Sequence, residues 1–223
     1  MASHLGKEIG KLKRMILELC TYVEENVCRA VDAVEEVDPV KALSVISRDT
    51  VVNAREIDIE EECLKILALY QPVASDLRYV IACLKLNNEL ERIGDLAKKI
   101  AKYALRLNQL GISEIPFDFT MLEEKTKDML RNSIESLINT NADEALKICL
   151  ADKEVDLLEA EIKEKILAMM RKDPAKLDSY LALIGVARNL ERIADYTTNI
   201  AEDVIYLVHG EIVRHNEDFF SNN

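Results

Sequence analysis

The chain repeats itself. At an offset of 103, residues 38–64 lie over residues 141–167, and Ala42, Leu43, Asp49, Val52, Glu56, Ile59, Glu61 and Leu64 meet Ala145, Leu146, Asp152, Val155, Glu159, Ile162, Glu164 and Leu167. At an offset of 100, the run LERIGD at 90–95 lies over LERIAD at 190–195, and Ile100-Ala101 over Ile200-Ala201. The drop in offset places a connection three residues shorter before the last element of the second copy. Self-similarity on this scale restricts the fold to two copies of one supersecondary unit packed together.

Each unit reads as three helices. Ile9, Leu12, Ile16, Leu19, Val23 and Val27 step by three or four, and Val31 and Val34 continue the stripe, which is the spacing of one helical face. Only six glycines and four prolines interrupt 223 residues, too few for a loop-rich sandwich or barrel. The prolines stand at junctions. Asp38-Pro39 reads as an N-cap followed by proline at the first helical position; Pro72 and Pro174 break helices; Pro116 sits in a linker spanning 110–119. Gly111 and Gly210 follow long helical runs and suit C-terminal caps. The expected helices cover 5–36, 39–70, 74–110, 118–139, 142–171 and 175–209. The fold class is therefore all-α, two tandem repeats of an antiparallel three-helix bundle: a first repeat over 1–112, and a second over 113–223 with a short C-terminal tail.

Twenty-nine basic and 41 acidic residues give a formal charge of −12. Phosphate repulsion then disfavours nucleic acid as a partner, while cations and basic protein surfaces suit the balance. The cysteines, Cys20, Cys28, Cys63, Cys83 and Cys149, are odd in number and form no CxxC. They read as small core residues in a reducing cytoplasm rather than a disulfide framework or thiolate zinc site. The N-terminal stretch has no apolar signal region, and the longest uncharged runs, 66–75 and 179–187, fall well short of the ~20 residues of a membrane span.

The repeat carries a carboxylate pattern. Glu91 and Asp95 stand four apart and share a helix face; Glu191 and Asp195 do the same, as do Asp152 and Asp156 on the fifth helix, with Asp49 and Asn53 as their first-half counterparts. Like charges at this spacing cost a few tenths of a kcal/mol unless something neutralises them, and both halves keep the pattern on the same two helices. An antiparallel helix pair can gather four such groups, an oxygen-rich set suited to Mg²⁺, Mn²⁺, iron or zinc. Glu56 and Glu159 stand farther along the same helices, and Asn199 and Asp203 continue the Glu191–Asp195 face. Lys99 and Tyr103 replace that continuation in the first half, and Asn53 replaces an acid, so the first-half site is expected to be the weaker. The plainer alternative is a solvated face on which Arg92, Lys98, Lys99 and Arg192 pair with the acids.

Nothing in the sequence looks like a nucleophile or a tuned acid–base pair. His4, His209 and His215 lie near the termini, none in the ExxH spacing of a di-iron bundle. No Gly-rich phosphate loop, GxSxG or HExxH is present. Met129, Met169 and Met170 lie on apolar stripes and read as core. In the run 71–78, QPVASDLR, Asp76 suits the first turn of a new helix, and Arg78 is placed to clamp a neighbouring carboxylate.

Taken in order, the doubled three-helix unit, QPVASDLR at 71–78, LERIGD at 90–95 and LERIAD at 190–195 followed by Asn199-Ile200-Ala201-Glu202 make the chain resemble the PhoU family over essentially its whole length. The resemblance implies an acidic ExxxD signature tied to multinuclear iron or zinc clusters, here Glu91 with Asp95 and Glu191 with Asp195, joined by Asp49, Asp152 and Asp156. It implies no enzymatic activity. It implies instead a cytoplasmic negative regulator of phosphate signalling and uptake, damping a sensor histidine kinase and restraining the high-affinity phosphate ABC transporter through its ATPase. Such a protein works peripherally to the inner membrane through those partners and often as a homodimer. Two other readings fit the residues: a metal-independent helical adaptor of the same fold, and a metal-dependent phosphohydrolase or oxidase built on a bundle.

Overall fold

The computed structural model describes residues 2–116 and 118–210. Met1, Phe117 in the expected linker, and residues 211–223 with the expected tail and His215 lie outside the described residues. Among the described residues, six helices run in order: α1 (Ala2–Glu35), α2 (Pro39–Tyr70), α3 (Ala74–Gln109), α4 (Thr120–Asn139), α5 (Ala142–Lys172) and α6 (Leu177–His209). A single 3₁₀ turn at Pro174–Lys176 precedes α6, so that helix starts two residues later than proline placement alone suggests.

The helix ends follow local chemistry. Asp38 Oδ1 accepts from the backbone N–H of Val40 at 2.7 Å and of Lys41 at 3.2 Å, capping α2 ahead of Pro39. Asn141, its counterpart in the second copy, accepts from Glu144 N–H at 3.1 Å and caps α5. Gly111 and Gly210 adopt φ of 72° and 75° just past α3 and α6, the left-handed conformation that glycine takes without penalty. Arg78 clamps no carboxylate among the described residues. Its Nε donates to the carbonyl of Leu207 in the last turn of α6, where a cation also complements the helix dipole.

Helices α1, α2 and α3 pack on one another, as do α4, α5 and α6; the copies are joined by α3 against α6 and, less extensively, α1 against α4. One continuous apolar core runs through both. The α1 stripe of Leu12, Ile16, Leu19, Val23 and Val27 is sealed from solvent, and each such side chain contributes about 1.5–3 kcal/mol of burial. The linker is anchored at its end: Phe119 is fully buried, and its N–H donates to Glu35 Oε1 at 3.2 Å.

Helices α3 and α6 lie antiparallel. Lys85 Nζ meets Asp203 Oδ1 at 3.0 Å, while at the other end of the seam the Tyr103 ring covers Gly185, where an added Cβ would sit 2.3 Å from its Cζ. At the offset of 100, Lys85 corresponds to Gly185 and Asp203 to Tyr103. The two contacts are therefore the same contact, built once as an ion pair and once as a ring over a glycine. The axis relating the copies passes near Gly94 and Ala194, inside the LERIGD and LERIAD runs.

Candidate metal centre

The paired acids lie where α2 meets α3 and where α5 meets α6. Gly94 sets the close approach in the first copy, since a Cβ there would stand 3.1 Å from Val52 Cγ1. That approach brings Asp49 of α2 to α3. Asp49 is only 5% exposed, and its Oδ2 accepts from Lys98 Nζ at 2.5 Å. Its other oxygen, Oδ1, is buried without a partner. The ion pair holds the Lys98 ammonium pKa above its ordinary value. Burial, then the charges of Asp95 and Asp49, raise the Glu91 carboxyl, against the pull of Arg92 and Lys98. Glu56 is raised by burial, then by Glu60 and Glu91, and Asn87 Nδ2 donates to its backbone carbonyl at 2.8 Å.

The second copy gathers more charge with less neutralisation. Burial, then Asp195, Asp156, Glu159 and Asp152, push Glu191 up to about 7. Burial, then Asp156 and Asp195, push Asp152 up to about 6, while a hydrogen bond with the Thr198 hydroxyl opposes the rise and Glu202 adds to it. Asp195 is raised by burial and Asp156 and lowered by Arg192. Asp152 Oδ1, the repeat counterpart of Asp49 Oδ1, is likewise buried without a partner. An open hollow beside it is lined by Asp152, Asp195, Thr198, Asn199 and Glu202, with Arg192 and Tyr196 at its edge.

All seven sequence-predicted acids thus fall into two related clusters: Asp49, Glu91 and Asp95 in one, Asp152, Asp156, Glu191 and Asp195 in the other. Glu56 and Glu159 join their neighbours as expected. Asp203 does not. It turns to the α3 seam and pairs with Lys85, because its flank of α6 faces α3 rather than α5. Lys98, not the exposed Lys99, neutralises the first cluster. Thr198 was not singled out by spacing, although its alignment with Lys98 across the repeat marks it.

The donor chemistry fits a hard or borderline cation. Both clusters offer carboxylate oxygens, and each holds one buried oxygen with no hydrogen-bond donor, which a cation would satisfy. Among the described residues, no group of three or more His, Cys, Asp or Glu side chains is arranged to hold an ion as it stands. Among the described residues, no helix is long and apolar enough to cross a membrane.

Residues 16–104 and 120–204 each match the family model described as the PhoU domain. A phosphate-specific transport system accessory protein PhoU homolog from Pseudomonas putida is 36% identical over 216 residues, covering 96% of this chain and 84% of that protein. The crystal structure of PhoU from Pseudomonas aeruginosa superposes with a TM-score of 0.86 at 35% identity, covering 92% of this chain and 99% of that one. The phosphate transport system regulatory protein PhoU from Streptococcus pneumoniae gives a TM-score of 0.86 at 28% identity, over 94% and 99%.

Proposed function

Since the chain belongs to the PhoU family, we propose that it is a non-enzymatic accessory protein of phosphate transport that restrains uptake and signalling when phosphate is plentiful. The observation that carries this reading is the match of both repeats, over nearly the full chain, to relatives named as accessory or regulatory proteins of phosphate transport. Its partners in this reading are a phosphate ABC transporter, engaged through its ATPase, and a sensor histidine kinase. It meets both from the cytoplasmic side of the inner membrane, as a homodimer.

The acidic clusters give that role a physical handle. Asp152, Asp156, Glu191 and Asp195 would hold a cation, whose charge would relieve their mutual repulsion. Iron or zinc suits the site, with Mg²⁺ and Mn²⁺ as oxygen-seeking competitors. The cation supplies charge neutralisation. The chain supplies the carboxylate oxygens and the hydroxyl of Thr198 beside Asp152. Binding only to the folded chain would stabilise it by mass action, so the stability of the folded protein would follow metal supply.

Deleting the gene in its host tests the role. Phosphate uptake in phosphate-rich medium should rise and return to normal on complementation. Unchanged uptake and unchanged kinase output would contradict it. The Lys98–Asp49 ion pair favours one variant of this reading, a first repeat that works without metal. If the whole protein works so, binding to the transporter ATPase will be insensitive to EDTA.

A further inference from the structure

We propose that Lys98 is a built-in counter-ion that keeps the first repeat free of metal, so that cation binding is confined to the second repeat. This rests on the metal reading of the acidic clusters. Asp49 is nine-tenths buried; one of its oxygens is 2.5 Å from Lys98 Nζ, and the other has no partner. Lys98 thus already supplies at Asp49 the positive charge that a cation would bring. Only 28% of the Lys98 side chain is exposed, so its stem is held by the helix pair rather than waving in solvent.

The substitutions across the repeat point one way. Lys98, Lys99 and Lys102 on α3 stand where α6 has Thr198, Asn199 and Glu202, and Asn53 stands where α5 has Asp156. The first cluster has one carboxylate fewer and a bound ammonium, with two further, exposed lysines on the same helix. The second has four mutually repelling carboxylates and a neutral hydroxyl in the ammonium's place. A cation entering the first cluster meets a buried carboxylate already neutralised and an ammonium fixed beside it, a loss worth about tenfold or more in affinity. A cation entering the second displaces no protein cation from the matching position.

The experiment uses full-length, tag-free protein, stripped by chelation and dialysed against zinc chloride or, anaerobically, ferrous sulfate, with metal counted by plasma mass spectrometry. Wild type and the E91A/D95A variant should carry the same complement, and E191A/D195A should lose it. The N53D/K98T variant, which rebuilds the second-repeat pattern in the first, should take up additional metal at least about tenfold more tightly than any first-repeat binding in wild type. K98R, which keeps the charge, should match wild type. Loss of wild-type metal in E91A/D95A overturns the inference. So does an N53D/K98T count equal to wild type when E191A/D195A has removed the wild-type metal; the metal reading itself survives both results. A wild type that takes up no metal overturns the metal reading, and this inference with it. Should N53D/K98T fail to fold, the E91A/D95A comparison decides alone.

Discussion

Replacing Glu191 by glutamine should make the metal-free protein more stable at neutral and alkaline pH. Glutamine keeps the shape of the side chain and removes one of the mutually repelling charges. The Glu191 pKa rises from 4.5 to about 7, through burial and four neighbouring carboxylates. Undiminished, that rise corresponds to about 3 kcal/mol of destabilisation when the group is ionised. The side chain is only half-buried, so solvent screening reduces the figure to roughly 1–2 kcal/mol. The sign follows from linkage. The folded state holds its proton to higher pH than the unfolded state, so the folded wild type is unpenalised below about pH 4.5 and loses stability as pH rises toward 7. E191Q should therefore melt about 2–8 °C higher than wild type at pH 8 in EDTA, and level with it near pH 4.5. Calorimetry across that range reads the difference directly. A pH 8 melting temperature for E191Q equal to or below that of wild type would refute the claim that Glu191 lies in an under-neutralised cluster.

Other outcomes follow from the packing. Gly185→Ala drives a methyl into the Tyr103 ring and should cost about 1–3 kcal/mol, most of it recovered in the G185A/Y103L double variant; urea unfolding of the two measures it. Asp38→Ala removes the α2 cap and should cost about 1 kcal/mol, with Asn141→Ala on α5 similar, both readable as shifts of the urea midpoint at constant slope. Burial pushes the Cys20, Cys63 and Cys149 thiols up to about 12 and Cys28 up to about 11. Ellman's reagent at pH 8 should therefore label the native chain slowly, starting with the half-buried Cys28 and Cys149, and rapid reaction of all five would contradict that burial.

The repeat made most of the fold legible, since helical periodicity and capping residues are local properties. Asp38, Gly111 and Gly210 act as their positions suggest, and Asn141 repeats the Asp38 cap in the second copy. The carboxylate pairs were legible for the same reason: residues four apart share a face whatever surrounds them. What spacing could not resolve was which neighbour a flank meets. Asp203 continues the Glu191–Asp195 row along α6, yet tertiary packing turns it to Lys85 on α3. Arg78 has acidic neighbours in sequence, but its reach ends on the Leu207 carbonyl. Lys98 and Lys99 are adjacent and chemically identical. Only the rotation of α3 against α2 decides that Lys98 meets Asp49 while Lys99 faces solvent. Comparing the two copies position by position, rather than motif by motif, would have exposed the exchange of Lys98 for Thr198.

The central claim is that the second-repeat acids form a cation site in a PhoU-family accessory protein. Elemental analysis of natively purified, tag-free protein tests it most directly, with wild type set beside E191A/D195A. The account predicts iron or zinc bound to wild type and lost in the double variant, with both proteins folded by circular dichroism. Equal metal in the two, or none in wild type after iron and zinc are supplied, would contradict it and leave the repeated acids as a partner-facing surface.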